Sequence, residues 1–334
     1  MHLTRIEERM LDGEEGEARA LAMKVIVKVG EALGAERLVE ISHAHASGIS
    51  YNNIGEPGLR LLRRLAEAGG RVKTYATVNP IGMDADAWMD MHVPRSFAEK
   101  QLEVLEALKA MGFKLTLTCT PYYIRKPRLG EHLAWGESSA VAYANSLLGA
   151  RSNREGGPLT IMAALTGRTY YAGLHLDENR KPSLIVEAEA PKNSLEASLL
   201  GGYLGKTLKE GEIPYVRGIK QETPEYWLKE MCAAAGALGS LALCLIEGVS
   251  PEAGSPPSSE EKLSVDRVEL ERLKEEISSS DQPDLYFLGC PHASLSELIM
   301  LDRLVKGRVR VEFWVTLSRH EYDQASLKGI VRSL

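Results

Sequence analysis

Apolar positions along this chain of 334 residues recur with two periods, and the switches between them mark out its elements. Thr4 to Glu7 has the Thr-x-x-Glu form of a capping box, which predicts a short helix stopping at Gly13. Between Glu14 and Leu33, the residues Ala18, Ala22, Ile26, Val29 and Leu33 fall on one side at helical spacing and predict a longer helix. Arg37 to Ser42 reads as a strand running into the polar loop Ser42-His-Ala-His-Ala-Ser-Gly48. A helix over Gly58 to Ala68 follows, then a strand over Val72 to Val78 and a loop, Asn79-Pro-Ile-Gly-Met-Asp84. Arg95 to Met111 is helical by period, and the β-branched alternation of Lys114 to Cys119 predicts a strand that breaks at Pro121.

The same alternation continues. Ser138 to Leu148 reads as a helix, Gly149 to Gly157 as a loop, and Leu159 to Leu165 as a helix opened by Pro158 in its first turn. Strands are expected over Ser183 to Ala188 and Ile213 to Val216, with a glycine-containing helix at Leu195 to Leu204 and an Ala-rich one at Trp227 to Leu241. Ala242 to Ile246 is a short apolar run. Pro251 to Glu261, rich in Pro, Ser, Gly and charge, is the clearest linker. Beyond it, helices at Val265 to Ile277 and Leu295 to Val305 alternate with strands at Asp284 to Leu288 and Val309 to Thr316. Short β-branched runs alternating with helices predict βαβ units and parallel sheets. The expected organisation is an α/β body over 1–250, itself in two subdomains, a linker over 251–262, and a smaller α/β domain over 263–334 that is incomplete at its C-terminus.

Composition narrows the class. The net charge is −6 with both signs interspersed, and nothing in it favours nucleic acid or an anionic membrane. No apolar run is long enough to span a bilayer and the N-terminus lacks a signal-peptide pattern, so a soluble cytoplasmic protein is expected. Four scattered cysteines do not make a disulfide framework. Cys232 and Cys244 sit in apolar runs and read as core. Cys119 and Cys290 instead each follow a predicted strand and enter a polar loop, where α/β sheets place ligand chemistry. Cys290 also precedes a predicted helix, whose N-terminus favours the thiolate that binds metal. Neither belongs to a CxxC pair, so a zinc ribbon is not expected, and two such ends suit a cofactor held between domains. The loop 149–157 carries Arg151 and Arg154 among small residues, a combination that grips phosphate or carboxylate. Ser42, His43, His45 and Ser47 form a second polar cluster, and Asn79, Met83 and Asp84 a third. Glu137 precedes a helix and reads equally as a cap or as a catalytic carboxylate.

Taken in order, Glu8-Arg-Met-Leu-Asp-Gly13, Ile41-Ser-His-Ala-His45, the 79–84 loop, Leu117-Thr-Cys-Thr-Pro121, Trp135-Gly-Glu-Ser-Ser139, Asn145, the 149–158 loop and Gly289-Cys-Pro-His-Ala-Ser294 resemble the aconitase X family over nearly the whole chain. The resemblance implies aconitase-like three-layer α/β domains with largely parallel sheets and an active site between them. It also implies a 4Fe-4S iron–sulfur cluster with Cys119 and Cys290 as ligands, and a separate small swivel-domain subunit whose serine supplies the base. Archaeal members remove water from mevalonate 5-phosphate, giving trans-anhydromevalonate 5-phosphate, and that reaction is expected here. On the same basis Ser42, His43 and Glu137 are expected catalytic residues. Asn79, Asp84, Ser138, Ser139, Asn145, Arg151, Ser152, Asn153 and Arg154 are expected to bind substrate. The family's third cysteine follows the region matching Trp314 to Arg319. None stands there before Leu334, and a missing tail is expected to carry it. Two other readings stay open: a cis-3-hydroxy-L-proline dehydratase of the same family, and a non-catalytic metal-binding scaffold. A Rossmann-type oxidoreductase is set aside because no Gly-x-Gly-x-x-Gly follows the first strand.

Overall fold

The α-helices and strands of the computed structural model follow the predicted alternation closely. It describes residues 1–258, 262–279, 282–305, 307 and 309–334. In chain order the elements are α1 (Arg5–Leu11), α2 (Glu17–Ala32), β1 (Leu38–Glu40), β2 (His43–Ala46), α3 (Tyr51–Glu67), β3 (Tyr75–Val78) and α4 (Arg95–Ala110). Next come α5 (Pro121–Ile124), β4 (Leu133–Trp135), α6 (Ser138–Leu147), α7 (Gly157–Thr166), β5 (Arg168–Tyr170), β6 (Leu184–Ala188), α8 (Ser194–Thr207), β7 (Pro214–Arg217) and α9 (Glu225–Leu238). Then follow β8 (Leu245–Ile246), β9 (Lys262–Val265), α10 (Arg267–Ile277), β10 (Leu285–Leu288), α11 (Leu295–Leu304), β11 (Glu312–Val315), α12 (Arg319–Leu327) and α13 (Ile330–Ser333). They gather into two units. One comprises Met1–Pro121, Gly130–Glu137 and Ala150–Asn179, the other Tyr122–Leu129, Ser138–Gly149 and Arg180–Leu334.

The first unit is built on a parallel sheet in the order β3-β2-β4, with a small antiparallel pair, β1 and β5. Here the structure corrects the sequence reading at its most important point. The polar segment after Ser42 is not a loop but β2, the central strand of the sheet and buried along its whole length. Alternation explains how a strand of His and Ala can be central. Ala44 and Ala46 lie in the hydrophobic core, so His43 and His45 project from the opposite face of the sheet. The expected strand at 114–119 is also corrected. Only Lys114 bridges to Thr77; beyond it Leu117 has a left-handed φ of 46°. An extended ladder cannot pass a residue in that region. Instead the Thr116 hydroxyl donates to the Val78 carbonyl and accepts from the Val78 amide, at 3.1 and 3.3 Å.

The capping box at α1 forms as expected, with the Thr4 side chain accepting from the Glu7 amide and Glu7 reaching back. In α2 the inward stripe includes Ala18, Ala22, Met23, Ile26 and Val27. Leu33, expected on that stripe, is its C-cap and is exposed, because the helix ends before the next turn inward.

The second unit holds a parallel sheet in the order β8-β7-β6-β9 and a separate parallel pair, β10 and β11. Strand β9 was not foreseen; Val265 closes it rather than opening the following helix, which starts at Arg267 behind an Asp266 cap. The expected linker shows no helix or strand over 251–258, while its residues 259–261 lie outside the described residues. The glycines of α8 have a packing reason. A Cβ at Gly201 would fall 2.0 Å from the Met231 carbonyl of α9, so only glycine lets the two helices approach this closely. Leu184, Val186, Leu200, Leu204, Val216 and Ile246 form the core around this sheet. No helix among the described residues is long and apolar enough to cross a membrane.

Candidate functional site

The imidazole face of β2 carries a continuous chain of side-chain hydrogen bonds. Pairing sets His45 opposite Thr77 of β3 and Trp135 of β4. His43 Nε2 and His45 Nδ1 each lie 2.7 Å from Thr77 Oγ1. His45 Nε2 is 3.0 Å from Asn79 Oδ1, and Asn79 Nδ2 donates to Glu137 Oε2 at 2.7 Å. Both histidines are fully buried, packed by Trp135 and, at His43, by Tyr75.

The proton positions in this chain follow from its end. The Glu137 carboxylate takes the Asn79 amide N–H, so Asn79 Oδ1 faces His45 and Nε2 must carry a proton. Burial pushes the His45 pKa down to about 4, with bonds to Asn79 and the Thr118 backbone only partly offsetting it. A neutral His45 protonated on Nε2 has a bare Nδ1, which accepts from the Thr77 hydroxyl. Thr77 in turn accepts from His43 Nε2–H. Every donor along the chain therefore points toward Glu137. An amide standing between His45 and the carboxylate does not pass a proton on, so the arrangement orients Glu137 rather than conducting to it. His43, Asn79 and Glu137 are thus brought together by Thr77, which the sequence reading had left out, and by His45, which it had placed in the polar cluster without a role in the site. The signal for His45 was present in its motif; Thr77 had none, because its role comes from strand register.

Gly136 fixes where this carboxylate sits. A Cβ there would fall 2.3 Å from Ser47 Oγ and 2.9 Å from the Glu155 carbonyl. Only glycine lets β4 turn out at this point and deliver Glu137 to Asn79.

The remaining candidates of this unit occupy its other loops. Cys119 is buried in a bend where Thr118 and Thr120 bond through their hydroxyls at 2.9 Å, and the Thr120 amide donates to Thr118 Oγ1 at 3.1 Å. Ser42 is half-buried, its amide donating to the His132 carbonyl at 3.0 Å. Asp84 accepts from the amides of Asp86 and Ala87 at 2.8 and 2.9 Å, closing its own loop. Ser152 accepts from the Trp135 amide, and Asn153 bonds both the Ala172 carbonyl and the Leu174 amide. Arg151 donates to the His175 carbonyl at 3.1 Å and pairs with Asp177; Arg154 is exposed. The Arg151 side chain is 16% exposed and that of its partner Asp177 77%, so the cation lies inward of an anion on the water-facing side.

Sequence reasoning also passed over Glu155. It is buried, accepts from Tyr170 Oη at 2.9 Å and Thr169 Oγ1 at 3.3 Å, and burial pushes its pKa up to about 7 despite these bonds. The folded chain therefore keeps a proton that the unfolded chain sheds from pH 4.5, the ordinary value, upward. The stability due to this group is present at low pH and falls as pH rises toward 7. Glu155→Gln should remove that loss. In thermal unfolding series its stability relative to the parent should improve by about 3 kcal/mol between pH 4.5 and 7, and a constant difference would sink the assignment.

In the second unit, Ser138 and Ser139 open α6, and Asn145 on the same helix is fully buried. The Asn145 side chain donates to the Ala242 carbonyl at 2.9 Å and meets Arg180, which pairs with Glu252. Cys290 is exposed on the loop before α11, whose capping box joins Ser294 and Glu297. Burial pushes the His292 pKa down to about 4, with the nearby Lys229 charge adding to the shift, and the imidazole is neutral.

A thiolate-bound metal centre needs cysteines able to ionise. Cys232 and Cys244 fail this condition: burial pushes Cys232 up to about 12 and Cys244 well above its ordinary range. They are core residues, as expected. The loops at Cys119 and Cys290 offer thiol donors of the kind that an iron–sulfur group takes. Among the described residues, no group of three or more His, Cys, Asp or Glu side chains is placed to hold a metal ion.

Comparison with known proteins gives this arrangement its setting. Residues 1–178, 182–275 and 283–334 match, in turn, the first, second and third domains of aconitase X. The phosphomevalonate dehydratase large subunit of Aeropyrum pernix is 47% identical over 100% of this chain and 86% of its own length. A cis-3-hydroxy-L-proline dehydratase of Pseudomonas aeruginosa is 35% identical over 99% of this chain and 59% of its own length. The crystal structure of Thermococcus kodakaraensis aconitase X in its holo-form superposes with a TM-score of 0.92 at 41% identity, covering 100% of this chain and 85% of that one. With three successive domains of the family matched in order over nearly the whole chain, and the fold shared with a solved member, the chain belongs to the aconitase X family.

Proposed function

We propose that this chain is the large subunit of a dehydratase that removes water from mevalonate 5-phosphate to give trans-anhydromevalonate 5-phosphate. The observation that carries this reading is the identity of 40–47% to five archaeal proteins named phosphomevalonate dehydratase large subunit, against 35% to the hydroxyproline dehydratases. The name of those relatives supports a small partner subunit, and we assign to it the serine that takes the α proton. Cytoplasmic location accords with thiols kept reduced.

The reaction breaks a C–H bond α to the carboxylate and a C–O bond at the β carbon, and the two fragments leave as water. Cys119 and Cys290 would supply thiolates to an iron–sulfur cluster. When bound, such a cluster offers an iron as Lewis acid to the departing hydroxyl. The chain's own residues do the rest. Glu137, held by the Asn79–His45–Thr77–His43 chain, would exchange a proton with the leaving hydroxyl, while Ser42 and Asn79 would position the substrate. Arg151 and the loop 149–157, with Ser152, Asn153 and Arg154, take the phosphate. The water-facing Asp177 is the partner that a more highly charged phosphate would displace from Arg151. Asp84, Ser138, Ser139 and Asn145 are assigned substrate-binding roles of secondary weight.

The test sets mevalonate 5-phosphate beside cis-3-hydroxy-L-proline, with the chain assembled anaerobically with its small subunit. Turnover of the phosphate alone is expected. Arg151→Ala should weaken the apparent affinity for it by about 2–3 kcal/mol. Turnover of hydroxyproline instead would establish the second family activity, and turnover of neither would leave a metal-binding scaffold.

A further inference from the structure

Among the described residues, one lysine is fully buried, and it stands beside the Cys290 loop. Lys229 lies on α9, and its side chain has no solvent contact. Its ammonium has three partners in reach, one for each N–H: Glu297 Oε2 at 2.6 Å, the His292 carbonyl at 3.1 Å and Glu230 Oε1 at 3.2 Å. Glu297 is itself the hub of the next turn. The same Oε2 accepts from the Ser294 amide at 2.8 Å and the Ser294 hydroxyl at 2.6 Å, which closes the capping box of α11. One charge thus holds both a main-chain oxygen two residues after Cys290 and the helix start four residues after it.

A buried ion pair is a poor device for stability alone, since an apolar pair of equal volume serves as well or better. What it adds is direction, because an ammonium with three fixed acceptors tolerates little displacement of any of them. The carbonyl of His292 gives this direction a purpose. Apolar packing could hold α9 against α11, but it could not hold a loop by its backbone oxygen.

We propose that Lys229 is a positioning residue for Cys290, anchoring the 289–294 loop so that the thiolate is presented in one fixed orientation to the metal centre. This deepens the cluster reading above and rests on Cys290 being a ligand. The outer contacts of metal ligands commonly carry about 10–100-fold in affinity, and Lys229 acts at that level through the loop.

The test compares the full chain with Lys229→Met/Glu297→Gln, which removes the buried Lys229–Glu297 pair, leaves only the partly exposed Glu230 carboxylate and keeps an acceptor for Ser294. Two readouts are independent of turnover. In metal-free protein, alkylation of Cys290 by iodoacetamide, followed by peptide mass spectrometry, should change at least several-fold. After anaerobic reconstitution, iron should be lost to a chelator about 10-fold faster than from the parent. A thermal midpoint close to the parent's would show that the fold is kept. A folded variant with unchanged alkylation and iron retention overturns the proposal. If the double variant does not fold, Lys229→Gln, which keeps one donor for the His292 carbonyl, is judged by the same two measurements. Cys290→Ser separates the two levels: full iron retention there would remove Cys290 from the cluster, whereas loss there with retention in the Lys229 variants would overturn the role of Lys229 alone.

Discussion

Replacing Cys119 or Cys290 by alanine should abolish dehydration and the visible absorbance of the proposed iron–sulfur cluster together. Loss of the Lewis acid is worth several kcal/mol of transition-state stabilisation, a fall in rate of about 10³-fold or more. The two substitutions should differ in the apoprotein. Cys119 is buried between threonines that bond each other, so its truncation opens a small void. Cys290 is exposed and costs the fold little. Cys232→Ala is the matched control, because that thiol is held protonated in the core; it should lower stability and leave the absorbance intact. Normal turnover in either Cys119→Ala or Cys290→Ala would remove the cluster role of that residue.

Glu137→Gln should lower kcat by about 10²–10⁴-fold, the usual worth of a positioned acid or base. Glutamine keeps an oxygen for the Asn79 N–H, so the hydrogen-bonded chain behind it survives and the thermal midpoint should hold. That combination separates chemistry from architecture. A fall in stability with kcat preserved would make Glu137 the capping residue that the sequence equally allowed.

Much of the fold was legible because local rules and tertiary structure agreed. The capping box at Thr4, the stop near Gly13, Pro158 in the first turn of its helix and the burial of Cys232 and Cys244 all follow from short-range chemistry. The misreading with the largest consequence comes from polarity that only a neighbouring strand can satisfy. Ser42, His43, His45 and Ser47 look like a solvated loop until Thr77 and Asn79 are placed beside them. The reverse holds at Lys114 to Cys119. There the β-branched alternation is right for a strand, but Thr116 takes the ladder's place with its hydroxyl and Leu117 turns away. The strands at Leu133–Trp135 and Arg168–Tyr170 went unread because three residues are too few to display a period. Within the candidate site, residues next to a motif could be named, whereas the order in which they touch could not.

The strand His43–Ala46 has a consequence for how this chain can change. Odd positions carry the hydrogen-bonded imidazoles and even positions serve packing, with nothing to spare between the two duties. An insertion or deletion of a single residue just before it would turn both imidazoles into the oily side and both methyls toward Glu137, losing folding and activity in one step. Evolution of this segment is therefore confined to substitution in place, and variation in length must be taken up elsewhere, in turns where no such parity applies.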